Sequence, residues 1–154
     1  MYQQEGREVS QSPAQPQPQQ ETSIMRFSLQ GIPPDVRWPT ATIQHLLRAL
    51  EIGDDGTTLD EVRQQINDRR SMLWVGYIGD THKMSIVLTI ENTALYAWLM
   101  GGEDMDDWID PLVASMRRYA REKGLTHLKA VTRPGLTKTL KGWRTTATII
   151  RAEI

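Results

Sequence analysis

Three apolar runs that follow one another almost without interruption constrain this chain more than any other feature: Met72–Ile78 (MLWVGYI), Met84–Ile90 (MSIVLTI) and Ala94–Met100 (ALYAWLM). Each is the length of a strand and too short for an ordinary helix. The joins Gly79-Asp80-Thr81-His82 and Glu91-Asn92-Thr93 are short enough for hairpins, so an antiparallel meander is expected. Runs this continuously apolar need cover on both faces of the sheet.

The cover is legible on either side of the runs. Upstream, Ile43, Leu46, Leu47 and Leu50 recur at helical spacing after Trp38-Pro39-Thr40 and stop at Gly53-Asp-Asp-Gly56, which predicts a helix over 39–51. Thr58 with Glu61 reads as a capping box, and Leu59, Val62 and Ile66 mark one face of a second helix reaching about Arg69. Downstream, Trp108, Leu112, Met116 and Tyr119 or Ala120 form the stripe of a third helix, with Pro111 in its first turn and Gly124 as its stop. Leu125–Val131 reads as a strand, Arg133–Lys141 as a short helix begun near Pro134, and Arg144–Ile154 as a closing strand. Before the first helix, Ile24–Leu29 reads as a short strand or extended segment, and Gly31-Ile-Pro-Pro34 as a linker. The expected class is α/β (α+β): a mixed central sheet of about five or six strands with helices on both faces.

Composition separates the ends from the middle. Residues 1–22 hold seven Gln and three Pro and almost no aliphatic side chains, so they cannot bury enough surface to offset ordering entropy. The expected organisation is a Gln/Pro-rich extended arm and linker over 1–37 and one domain over 38–154, a chain of 154 residues being the size of a single core. The absence of cysteine excludes disulfides, thiolate metal sites and cysteine nucleophiles. His45, His82 and His127 have no metal-ligand spacing, and no metal is expected. With no stretch of about 18 apolar residues and no basic-then-apolar leader, the expectation is a soluble, unexported protein without a membrane partner.

The net charge of −1 is unevenly spread. Residues 101–111 carry five acids (Glu103, Asp104, Asp106, Asp107, Asp110) and no base, whereas residues 117–154 carry ten bases against Glu122 and Glu153. Acids before the third helix and bases at its end suit the helix dipole, by about 0.3–1 kcal/mol each when exposed. The bases lie scattered over loop, short helix and strand without interleaved aromatics, so a nucleic-acid partner is not expected. Trp74, Trp98, Trp108 and Trp143 are expected as core anchors, and Trp38 as an anchor of the linker.

The order helix, helix, three strands, helix, strand, short helix, strand resembles the GNAT acetyltransferase superfamily fold over residues 38–154, with an optional first strand to come from Ile24–Leu29. Arg133-Pro-Gly-Leu136 followed by Leu140-Lys-Gly-Trp-Arg144 looks like the ending of a group of small GNAT-like proteins of tailed phages. Active members of the superfamily enter the third helix through an Arg/Gln-x-x-Gly-x-Gly/Ala loop whose N–H groups hold the pyrophosphate of acetyl coenzyme A. The corresponding place here reads Met100-Gly-Gly-Glu-Asp-Met-Asp-Asp-Trp108, with adjacent glycines, no preceding Arg or Gln, and four carboxylates where an anion would dock. If a cofactor binds, Met100, Gly101, Gly102 and Met105 are its place. The superfamily's tyrosine near the last short helix has no counterpart in 132–143, and Glu91, Asp80 and His82 are the nominees for a general base.

The resemblance and the acidic loop together predict a catalytically degenerate, non-enzymatic virion protein that holds no cofactor. It would be made in the bacterial cytoplasm and assembled on portal, head or internal proteins, with copies of itself in a ring as a further contact. Gln15, Pro16, Gln17, Pro18, Trp38, Glu103, Asp104, Asp106, Arg133, Lys138, Lys141 and Arg144 are its expected contact residues. The alternatives are an active acetyl-CoA-dependent N-acetyltransferase and an early regulatory protein that binds a host or phage target.

Overall fold

A computed structural model describes residues 26–53, 55–131, 140 and 142–144. Its order is β1 (Phe27–Ile32), α1 (Thr40–Gly53), α2 (Leu59–Asn67), β2 (Met72–Ile78), β3 (Thr81–Glu91), β4 (Ala94–Gly102), a 3-10 turn (Met105–Asp107), α3 (Ile109–Glu122) and β5 (His127–Ala130). The five strands lie side by side in chain order, the first four antiparallel and β5 parallel to β4. The optional first strand is therefore present, inside the stretch read as arm and linker, and it runs through Gly31-Ile32 to stop only at Pro33. The expected short helix over 133–141 and closing strand over 144–154 fall almost wholly outside the described residues.

Both faces of the sheet are covered, as the apolar runs require. Along β3, Met84, Ile86 and Leu88 point into a core with Leu112, Met116 and Ala120 of α3, while Val87 joins Leu46, Val62 and Ile66 of α1 and α2 on the other face. The α3 stripe read from the sequence is the buried one: Trp108, Leu112, Met116 and Ala120 are all at most 5% exposed. Leu112 and Met116 each contribute about 1.5–3 kcal/mol on burial.

Local chemistry sets the helix ends. Thr58 Oγ1 accepts from the Glu61 backbone N–H at 3.2 Å, and Glu61 Oε1 accepts from the Thr58 N–H at 2.8 Å, which is the expected capping box of α2. Gly124 closes α3 with φ 73°, its N–H on the Arg121 carbonyl. Trp38, expected as a partner contact, is instead 5% exposed in the core beneath α1 and α2, with the Arg63 guanidinium 4.1 Å above its ring. Among the described residues no helix is long and apolar enough to cross a membrane.

Candidate functional site

Two irregularities in β4 shape one end of the sheet. Val87 pairs with Leu99 and Leu88 with Ala97, so Trp98 is an extra residue that bulges the strand. On its other side β4 pairs with β5 only from Ala94–His127 to Ala97–Ala130. Beyond the bulge, β4 continues to Gly102 with β3 alone beside it among the described residues. From Trp98 on, the edge of β4 that β5 pairs with has no partner among the described residues.

The chain leaves β4 through the acidic loop. Asp104 takes the left-handed conformation at φ 57°, and its carboxylate accepts from Lys83 Nζ at 2.6 Å, which raises the lysine pKa. The buried Trp108 indole donates to the Glu103 carbonyl at 2.7 Å and pins the loop to the start of α3. The first helical bond is Leu112 N–H to the Trp108 carbonyl, so the Ile109 and Asp110 amides precede it, and no side chain caps them. Glu103, Asp106 and Asp107 are exposed on the loop, and Asp110 on the first turn.

The two glycines here are explained by packing. The expected strand end at Met100 is corrected: Gly101 and Gly102 continue β4 opposite Ser85 and Met84. A Cβ on Gly101 would lie 2.9 Å from the His45 carbonyl carbon, and one on Gly102 would lie 2.7 Å from Met84 Cβ. Only glycine lets α1 lie this close on β4. Met100 and Met105, grouped with them as a cofactor place, pack against the α3-side core.

A polar cluster that sequence reasoning missed lies behind Gly101, on the α1 face. Ser85, fully buried in the middle of an apolar run, donates to Thr42 Oγ1 at 3.0 Å and lies 2.9 Å from His45 Nδ1 and 3.2 Å from His82 Nε2. The His45 and His82 rings meet edge to face at 5.2 Å, and Tyr77 lies 5.2 Å beyond His82. Burial, then the neighbouring His82, pushes the His45 pKa down against a smaller opposing pull from Glu103. Burial lowers that of His82 as well, opposed by its bond to the Met84 carbonyl. Both rings are therefore neutral at pH 7. The lone serine in MSIVLTI was the one available signal.

The other nominees scatter. Glu91 pairs with Lys129 at 2.9 Å at the far end of the sheet, while Asp80 is exposed in the β2–β3 turn. Among the expected contact residues Arg144 is exposed, and Gln15, Pro16, Gln17, Pro18, Arg133, Lys138 and Lys141 lie outside the described residues. No group of three metal-ligating side chains forms among the described residues.

No family model and no curated protein matches this sequence. Solved structures do match. An aminoglycoside acetyltransferase from an uncultured soil metagenomic sample superposes with a TM-score of 0.56 at 9% identity, over 83% of this chain and 96% of that one. A Bacillus subtilis acetyltransferase in complex with CoA gives 0.56 at 13% identity, over 75% and 71%. A GNAT family acetyltransferase from Elizabethkingia anophelis with acetyl-CoA bound gives 0.53 at 12% identity, over 74% and 70%. The expectation of a non-enzymatic virion component is corrected here, because the solved structures that share the architecture are acetyltransferases. The acidic loop carried too much of that expectation: surface charge weakens anion binding without excluding it. The mixed five-stranded sheet, with α1 and α2 on one face and α3 on the other, is a GNAT-like fold.

Proposed function

We propose that this chain is an acetyl-CoA-dependent N-acetyltransferase. The observation that carries the proposal is the edge of β4 beyond the Trp98 bulge, which β5 leaves unpaired among the described residues and which we take as the wall of a cofactor slot. An extended chain bearing amides, such as the pantetheine arm of coenzyme A, can pair with a free strand edge as another strand would. The residues present fit that arm. For the diphosphate they offer the uncapped amides of Ile109 and Asp110 and the Lys83 ammonium, against the carboxylates of Glu103, Asp106, Asp107 and Asp110. When bound, acetyl-CoA supplies an acyl group activated as a thioester.

The chain's own contribution follows from its charges. The exposed carboxylates of the loop attract a protonated amine toward the slot mouth. An amine must lose a proton before its lone pair can form an amide. At this end of the sheet we assign His82 as the proton acceptor: it is neutral, half-buried, and held by the Met84 carbonyl and Ser85. Ser85 and His45 position the ring.

The test is thiol release from acetyl-CoA with a panel of amines, from amino sugars and linear polyamines to protein N-termini. We expect turnover with at least one cationic amine, and a pH profile whose acidic limb is lost in His82→Gln. Absence of amine-dependent thiol release across the panel, with acetyl-CoA bound, would overturn the proposal.

A further inference from the structure

β1 is the outer strand of the sheet: Phe27–Ile32 pairs with β2, and among the described residues nothing pairs with its other edge. Such an edge offers unpaired N–H and C=O groups to a further strand. Cavities flank it on both faces. On the α3 face a cavity of about 450 Å³ is walled by Phe27, Leu29, Trp74 and Tyr119, the two last rings meeting edge to face at 5.1 Å, with Arg118 among its lining. On the α2 face a cavity of about 310 Å³ is lined by Ile32, Ile66 and Leu73, together with Arg69. Gly31 and Trp74 border both. An added strand sends successive side chains to opposite faces of a sheet, so one extended segment along β1 reaches both cavities from neighbouring positions.

Charge selects the segment. Arg69 and Arg118 are exposed, and among the described residues neither forms an ion pair and Glu122 is the only acid lining either cavity. Arg69 also holds φ 63° just past the end of α2, a conformation glycine adopts without strain. The geometry points to β1 as the docking edge for an extended acidic segment of a partner protein. That segment adds a strand beside Phe27–Ile32, sets aliphatic side chains into the α2-face cavity, and brings carboxylates to Arg69 and Arg118. This surface is independent of the slot at β4.

The test uses the full chain and fluorescence anisotropy with labelled Gly-Glu-Val-Glu-Val-Val-Glu-Gly, whose alternation presents valines and one glutamate to the α2 face and the other glutamates to the α3 face. Controls are the Lys counterpart and a form N-methylated at alternate amides, which cannot pair as a strand. We expect saturable binding of the Glu peptide that weakens at high salt, with both controls weaker by at least about tenfold. Arg69→Glu with Arg118→Glu should reverse the preference toward the Lys peptide, which loss of folding cannot do. The proposal is overturned by equal binding of the Glu and Lys peptides, by indifference to N-methylation, or by no binding at about 1 mM. A dimer seen by light scattering that the Glu peptide does not dissociate would also overturn it, by giving the edge to a second copy.

Discussion

Replacing Gly101 by alanine separates a packing glycine from a cofactor glycine. The added Cβ would lie 2.9 Å from the His45 carbonyl carbon and 3.2 Å from its Cα, so it meets the α1 backbone rather than the end of a side chain that could swing away. Overfilling a packed interior costs about 1–3 kcal/mol, and the alanine recovers about 0.5–1 kcal/mol of strand propensity. Because a helix backbone cannot give locally, the upper part of that range applies, with a net loss of about 2 kcal/mol and, for a domain this size, a Tm lower by roughly 8 °C. Gly53, at the end of α1, has nothing within 4 Å of where its Cβ would stand, and Gly53→Ala should leave Tm unchanged or slightly raised. Thermal unfolding followed by circular dichroism reads both variants. Equal stability of Gly101→Ala and the native chain would refute the close approach of α1 to β4.

Three further outcomes are expected. His45 and His82 have pKa values lowered by folding, so the unfolded chain binds more protons just below its own histidine pKa of about 6.5. Stability should therefore be full above that value and fall as pH drops through it toward the folded pKa values, and His45→Gln with His82→Gln should flatten this slope in denaturant titrations. Thr58→Ala, which removes the side-chain arm of the α2 capping box and leaves the backbone N–H to Glu61 arm in place, should cost about 1 kcal/mol in the same assay. Asp106→Asn and Asp107→Asn should each tighten acetyl-CoA by about threefold at low salt, the order of gain from removing one solvent-screened like charge, and the gain should shrink in high salt.

Much of the fold was legible because it rests on local signals. MLWVGYI is a strand to the residue, the Thr58–Glu61 cap sits where its spacing placed it, and the Trp108–Ala120 stripe faces the core. What escaped depends on tertiary neighbours. Gly101-Gly102 look like a strand end in isolation, and only the proximity of α1 shows why the strand continues through them. The Trp98 bulge leaves no trace in an unbroken apolar run, although it decides where β4 and β5 part. His45 and His82 stand far apart in sequence, and only the α1–β3 packing brings both to Ser85. Trp38 beside a proline reads as a linker anchor and partner contact because nothing local announces the cover that α2 gives it.

The most direct test of the central claim is a thermal-shift titration of the full chain with acetyl-CoA at low ionic strength. Occupation of the β4 slot predicts a saturable rise in Tm, equivalent to about 2.7 kcal/mol at a hundredfold excess over Kd. Added salt screens both the repulsion of the acidic loop and the attraction of Lys83 and the α3 amides, so the rise weakens with salt, relative to a salt-matched control without ligand, where the attraction is the larger and grows where the repulsion is. No shift at millimolar acetyl-CoA would contradict the account and leave the slot without its ligand.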